Sequence, residues 1–225
     1  MTASRTTSSL VAVLALLVLG SCSTGASPNA STDDSAAPSS APATEVASPS
    51  ASPVGAGPCD LLGAEAVAAL AGVPLDTHQE TTVGGLPACQ WGTGAPGVQV
   101  SQAPASEWAK ALPALIEQVR TSGALGPEDQ QRLDDASALL ASGEVDGASA
   151  CELFSLTAEF SGYEPGVTTV VNYLPNKEEP QGITSQACLD GVYSSILLVD
   201  PEITADDATT TAARTALEAL IAANA

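Results

Sequence analysis

The sequence predicts an α+β domain in which an antiparallel β-sheet packs against a few helices, including one at the C-terminus, with two disulfides. Short β-rich runs separated by Gly-rich turns occur in both halves of residues 59–225, which is typical of antiparallel strands. Segments with helical composition precede, separate and follow these runs. Four cysteines lie in the same residues, and an even number in an exported chain indicates disulfides.

The N-terminus is expected to be a lipoprotein signal peptide over residues 1–21. Its apolar run over residues 10–20 is too short to span a bilayer, which takes about 20 apolar residues. The run ends in Leu19-Gly20-Ser21-Cys22, which resembles the bacterial lipobox, where the Cys thiol receives a diacylglyceryl group. We therefore expect Cys22 to carry the lipid anchor. The alternative is an ordinary secretory signal in which Cys22 is incidental.

Residues 22–58 are expected to comprise the lipidated Cys and a disordered tether. Ala, Ser, Pro and Thr dominate this stretch, which cannot bury enough surface to offset the ordering of its backbone. A flexible chain of this length has an end-to-end distance of about 30–36 Å. Residues 59–225 are then expected to form a single α+β domain, long enough to bury a core.

The first half of the domain is expected to contain a helix, three strands and two further helical segments. Ala64–Ala71 has helical composition and is followed by the helix-ending residues Gly72 and Pro74. Gly-rich turns separate the three strands, which we place over residues 75–83, 88–92 and 97–102. The helical segments are expected over residues 107–120, where Pro113 kinks or begins the helix, and from Pro127 to about residue 140.

The second half is expected to contain three strands and a final helix. Apolar and polar residues alternate over residues 152–160, which predicts a half-buried strand. Residues 166–174 are expected to pair with it as a hairpin, and residues 191–199 to form a more buried strand. The final helix is expected to start with a Thr204 cap and a carboxylate, Asp207, three residues later. Its apolar face is predicted to comprise Ala208, Ala212, Ala216, Leu217, Leu220 and Ile221.

The domain cysteines are Cys59, Cys89, Cys151 and Cys188, and four cysteines can pair in three ways. We expect Cys59–Cys89 and Cys151–Cys188, because each pair then joins residues within one half of the domain. A four-Cys zinc site is the alternative, but the sequence has no CxxC spacing and the expected compartment is oxidising.

Several short motifs resemble those of the lipoprotein family of actinobacteria known as domain of unknown function 3558. They are Pro58-Cys59-Asp60-Leu61-Leu62 before a short helix, Cys89-Gln90-Trp91 about thirty residues on, and the turn at Val145-Asp146-Gly147-Ala148. The position of Cys151 directly after that turn departs from the family pattern. The resemblance implies surface attachment and a compact α+β fold. It implies no known activity and therefore transfers no catalytic residues.

The charge balance excludes several kinds of partner. The chain has 26 Asp or Glu against 6 Lys or Arg, a net charge of −20. Such a chain is repelled by nucleic-acid phosphates and by an anionic membrane surface, so it should contact the membrane only through its lipid anchor. The acidic surface keeps the domain soluble, and a sharper interpretation is that it docks a basic envelope protein.

The sequence contains no recognisable catalytic or metal-binding constellation. His78 is the only His and lies in a polar segment that we expect to be exposed and idle. The acid pairs Asp134-Asp135, Glu178-Glu179 and Asp206-Asp207 come without the number of aromatic residues that a glycosidase cleft needs. Residues 200–206 are similar to the start of a calcium loop, but its Gly position holds Ala205 and helix capping explains these acids better.

These observations predict a lipid-anchored protein on the extracytoplasmic face of the cell membrane, without enzyme activity, metal or cofactor. Its domain is expected to bind or regulate another envelope protein. The alternative is a carrier or receptor for a small apolar or lipid-like ligand, held between the sheet and its helices.

Overall fold

The computed structural model describes residues 57–122, 126–141, 143 and 145–223. The strands are β1 (His78–Val83), β2 (Leu86–Trp91), β3 (Gly97–Pro104), β4 (Thr169–Leu174), β5 (Gly182–Leu189) and β6 (Val192–Val199). The helices are α1 (Ala64–Ala71), α2 (Ala105–Ala109), α3 (Leu112–Ser122), α4 (Pro127–Ala141), α5 (Gly147–Phe160) and α6 (Asp207–Ala222), preceded by a 3₁₀ turn over Pro58–Asp60.

The six strands form one antiparallel sheet in the order β1-β2-β3-β6-β5-β4. Each half of the chain contributes a three-stranded meander, and the two meanders join where β3 pairs with β6. This join runs the full length of both strands, from Gly97 opposite Val199 to Pro104 opposite Val192. The two halves therefore share a single sheet.

Helices cover both faces of the sheet, so the domain has three layers. On the first face, α1 and α6 pack their apolar residues against Val98, Ile196 and neighbouring strand residues. On the second face, α2 to α5 surround Ala103, Tyr193 and Cys188. Antiparallel strands buried on both faces lose the simple alternation of apolar and polar residues that a half-exposed strand shows.

The predicted α+β class, the C-terminal helix and both disulfides are confirmed. Cys59 is bonded to Cys89 and Cys151 to Cys188. The predicted helix Ala64–Ala71 has the bounds expected of it, since Gly72 ends it in the left-handed conformation with φ of 71°. The predicted segment over residues 107–120 is divided between α2 and α3, and Pro113 lies in the first turn of α3.

The prediction of a strand over residues 152–160 is wrong, because this segment belongs to α5. The alternating residues Phe154 and Ala158 also fit a helical face, together with Ala150 and Leu153, and all four are buried. The side chain of Asp146 caps this helix by accepting a hydrogen bond from the Ser149 N–H at 2.8 Å. A helix that packs on several neighbours has a wide apolar face. Some apolar residues of this face also fall on every second position, which is the pattern expected of a strand.

The predicted hairpin between residues 152–160 and 166–174 is therefore also wrong, since β4 pairs with β5. The sequence interpretation missed β5, Gly182–Leu189, because its Thr184, Ser185 and Gln186 resemble loop residues. Most of β5 is buried under helices on both faces, where periodicity carries little signal.

The N-cap of the final helix lies two residues later than predicted. Asp206, not Thr204, is the N-cap, and it accepts a hydrogen bond from the Thr209 N–H at 2.8 Å. Thr204 instead donates its hydroxyl to the Asp206 carboxylate. Of the predicted apolar face, Ala216, Leu217 and Leu220 are buried, whereas Ala208 is exposed.

The signal peptide, Cys22 and the tether up to residue 56 lie outside the described residues, so the predictions made for them stay predictions. Within the described ranges, every helix is too short or too polar to cross a bilayer.

Candidate functional site

A cavity of about 140 Å³ lies between the second face of the sheet and helices α2, α3 and α5. We call it the sheet–helix cavity. Strands β3, β5 and β6 form its floor, Trp108 and Leu112 close one side, and Phe154 and Thr157 of α5 close another. A concave, mostly apolar space with a few placed polar groups is the usual form of a small-molecule site.

The floor of the cavity is polar because strand register brings two rows of side chains together. In one row Gln99 lies opposite Leu197, which lies opposite Thr184. In the next row Ser101, Ser195 and Gln186 are aligned in the same way. All of these residues line the cavity, so amide and hydroxyl groups cover the middle of a sheet face that could have been apolar.

The hydroxyls at the edge of this floor are bonded to the sheet, whereas the Gln99 amide is incompletely bonded. Ser101 donates its hydroxyl to the Pro87 carbonyl at 2.8 Å, and Thr184 donates to the Ile196 carbonyl at 3.2 Å. The Oε1 atom of Gln99 is buried and accepts no hydrogen bond within the described residues. Leaving a buried acceptor unpaired costs free energy, so a hydrogen-bond donor that reached the Gln99 oxygen would be stabilising.

Three aromatic residues form the wall of the cavity. Trp108 stacks on Tyr193 with ring centroids 5.1 Å apart, and Phe154 meets both rings edge to face. Burial raises the pKa of Tyr193 to about 12, and a hydrogen bond with Ser195 acts in the opposite direction. The wall is therefore uncharged over the whole physiological pH range.

Helix α5 is positioned over the cavity by contacts along its N-terminal half. Gly147 lies so close to the β5–β6 turn that a Cβ atom there would be 2.8 Å from the Cα of Gly191. One turn on, the Cys151–Cys188 disulfide ties the helix to β5. The hydrogen bond from the Ser149 N–H holds the pKa of Asp146 below its ordinary value. These contacts place Phe154 and Thr157 on the cavity side.

The cavity borders an open surface groove of about 470 Å³ beside α2. The two share Gly84, Leu86 and Ala111, so they are neighbouring spaces at the same edge of the domain. The exposed ion pair of Lys110 with Glu107, 2.7 Å apart, lies in the groove. Among the described residues that line the inner cavity, none is charged.

The residues that the sequence analysis singled out lie away from this cavity, apart from the disulfide that holds α5. The Cys59–Cys89 disulfide joins the 3₁₀ turn to β2 on the first face. His78 lies exposed on the edge strand β1 and packs on Trp91, with ring centroids 4.4 Å apart. Within the described residues, no group of three or more His, Cys, Asp or Glu side chains is arranged to hold a metal ion.

Among the described residues that line the cavity, none belongs to the acid pairs. Asp134 pairs with Arg120 at 2.9 Å, and the N–H groups of Glu178 and Glu179 donate to the Asn176 side chain. In the segment considered for calcium, Asp200 accepts a hydrogen bond from the Glu202 N–H and Asp206 caps α6. Capping therefore accounts for Asp200 and Asp206, as expected from the sequence, whereas Asp134 forms an ion pair and the bonds at Glu178 and Glu179 are made by their backbone N–H groups.

The sequence interpretation missed the polar floor and Trp108. The available signal was weak: Gln99 and Ser101, two residues apart in a predicted strand, put polar groups on one face of it. The matching pattern of Thr184 and Gln186 lies in β5, the strand that was not recognised.

A comparison with family models matches residues 17–180 to the family described as "Protein of unknown function (DUF3558)". Comparisons with curated proteins and with solved structures found no match.

Proposed function

The chain belongs to the DUF3558 family, whose function is unknown, and from this premise we propose that it is an exported, lipid-anchored protein whose domain binds a small neutral ligand. The sheet–helix cavity is the observation that carries the proposal. It combines a polar floor with an aromatic wall, which are usual components of a small-molecule site, and a surface groove adjoins it. This proposal develops the alternative of a carrier or receptor given in the sequence analysis. It differs in that the ligand is expected to be more polar than the apolar or lipid-like molecule considered there.

The chemistry of the cavity supports binding rather than catalysis. Its polar groups are amides and hydroxyls, and Tyr193, its titratable group, has a pKa raised to about 12 by burial. A general acid or base that works near neutral pH needs a pKa close to 7. The cavity can therefore hold and orient a neutral molecule, and we propose no reaction for it.

Native mass spectrometry of the protein extracted from its own membrane tests this proposal. We expect a low-mass adduct on the wild type and its loss in Thr157→Phe, because the larger side chain fills the cavity from α5. Thr211→Phe on the exposed face of α6 is the matched control, since both Thr hydroxyls donate to an earlier carbonyl of their own helix. A wild type without adduct, or an adduct that survives Thr157→Phe, contradicts the proposal.

The acidic surface favours a second function, docking of a basic envelope protein. In the described ranges Lys110, Arg120 and Arg132 neutralise only Glu107, Glu117, Asp134 and Glu159. The chain as a whole has a net charge of −20, so its field attracts a cationic surface.

Crosslinking in intact cells at low and high salt tests this second function. We expect one reproducible membrane partner at low salt and its loss near 1 M salt, where the Debye length falls to about 3 Å. A partner whose recovery does not change with salt, or no partner at all, rules out electrostatic docking.

A further inference from the structure

Resting on the proposed function, we infer that the ligand of the sheet–helix cavity is an uncharged aromatic ring that carries an O–H or N–H donor, and that Gln99 accepts this donor. The inference combines the size of the cavity, its aromatic wall, its lack of charged side chains and the unpaired oxygen of Gln99. Phenol is the simplest compound of this class.

The size of the cavity limits the buried part of the ligand to one small ring. A volume of about 140 Å³ is close to that of an engineered cavity, of about 150 Å³, that binds benzene. The wall formed by Trp108, Phe154 and Tyr193 favours an aromatic ring, because aromatic pairs gain energy in stacked and edge-to-face arrangements beyond the area they bury.

The floor offers an acceptor to a hydrogen-bond donor on that ring. Gln99 lines the cavity and is only partly buried, while its Oε1 atom is fully buried and has no donor among the described residues. The last torsion of a Gln side chain is broad, so the amide can turn its oxygen toward a ligand. A ring without a donor leaves this oxygen unpaired, whereas an O–H or N–H group on the ring pairs with it.

The same surroundings exclude a charged ring. No charged side chain lines the inner cavity in the described part of the chain, and Lys110 of the outer groove is already paired with Glu107. A carboxylate that entered the cavity would lose its hydration without gaining a counter-charge. Benzoate should therefore bind at least about 100-fold more weakly than phenol.

Three probes and one substitution test the inference on the full chain. We would measure the dissociation constants of phenol, toluene and benzoate for the wild type and for Gln99→Met, which keeps the length of the side chain and removes its amide. Gln79→Met on the exposed edge strand β1 is the control. Because toluene is the more hydrophobic probe, the informative quantity is the ratio of the toluene constant to the phenol constant. We expect this ratio to fall about tenfold in Gln99→Met and to stay unchanged in Gln79→Met.

The outcomes separate this inference from the proposed function. Binding of phenol and toluene with a ratio that Gln99→Met does not change, or tight binding of benzoate, overturns the ligand class and leaves the cavity as a binding site. Binding of none of the three probes also overturns the ligand class, and the mass-spectrometry test with Thr157→Phe decides the proposed function separately. Thermal unfolding of each variant shows whether any loss of probe binding results from loss of the folded structure.

Discussion

Removing the Cys151–Cys188 disulfide by the double substitution Cys151→Ala and Cys188→Ala should lower the free energy of unfolding by about 4 kcal/mol. The bond closes a loop with a sequence separation of 37 residues, and the chain-entropy relation for a loop of that length gives about 4 kcal/mol. Domains of this kind have total stabilities of about 5–15 kcal/mol, so the loss is a large share. Urea unfolding followed by circular dichroism measures it.

The same substitution should weaken binding in the sheet–helix cavity, because Cys151 and Cys188 tie the cavity helix α5 to β5. The double substitution Cys59→Ala and Cys89→Ala is the matched comparison, with a sequence separation of 30 and a location on the first face. We expect a similar loss of stability from it and little change in phenol binding. A loss below about 1 kcal/mol from either pair would show that the disulfide adds little to the fold.

Replacing Cys22 with Ala should abolish membrane attachment. The proposed anchor depends on one thiol that accepts the diacylglyceryl group, and each CH₂ of a buried acyl chain contributes about 0.8 kcal/mol to membrane binding. The net charge of −20 opposes any attachment to anionic lipid that does not use this anchor. We expect the variant either in the medium or retained as an unprocessed precursor of larger mass.

Fractionation of cells that express each variant, with immunoblotting for size, measures this effect. Ser23→Ala, next to the proposed lipidation site, is the control and should remain in the membrane fraction at the wild-type size. If Cys22→Ala also fractionates and migrates like the wild type, the lipid-anchor proposal is wrong.

The parts of the fold that the sequence predicted correctly depend on short-range signals. Gly72 ended α1 because a left-handed residue stops a helix, and this is readable from the residue type. The apolar spacing of Leu217 and Leu220 indicated the buried face of α6. The two disulfides followed from the expectation that each half of the domain is crosslinked within itself, and each half does form its own meander.

The errors concern segments whose surroundings override their pattern. The spacing of Phe154 and Ala158 fits both a strand and a helix. The helix forms because Asp146 caps its N-terminus and its apolar face packs on several neighbours. Ser185 and Thr184 look like loop residues, but they lie in an interior strand of a sheet with helices on both faces. Local propensity is a weak guide in such positions, because burial and pairing contribute more to the energy than intrinsic preference does.

The sequence by itself determined the α+β class, the acidic charge and the expectation of a lipid anchor at Cys22, since each depends on residue type and local spacing. The cysteine pairing was one choice among three, and the structure decided it. Only the tertiary structure decided where a ligand could bind. Gln186 lies far along the chain from Gln99 and Trp108, and the three meet because β3, β6 and β5 are in register beneath α2 and α5. A polar floor divided among three strands leaves only a weak signature within each of them, and pairing of the strands is what assembles it.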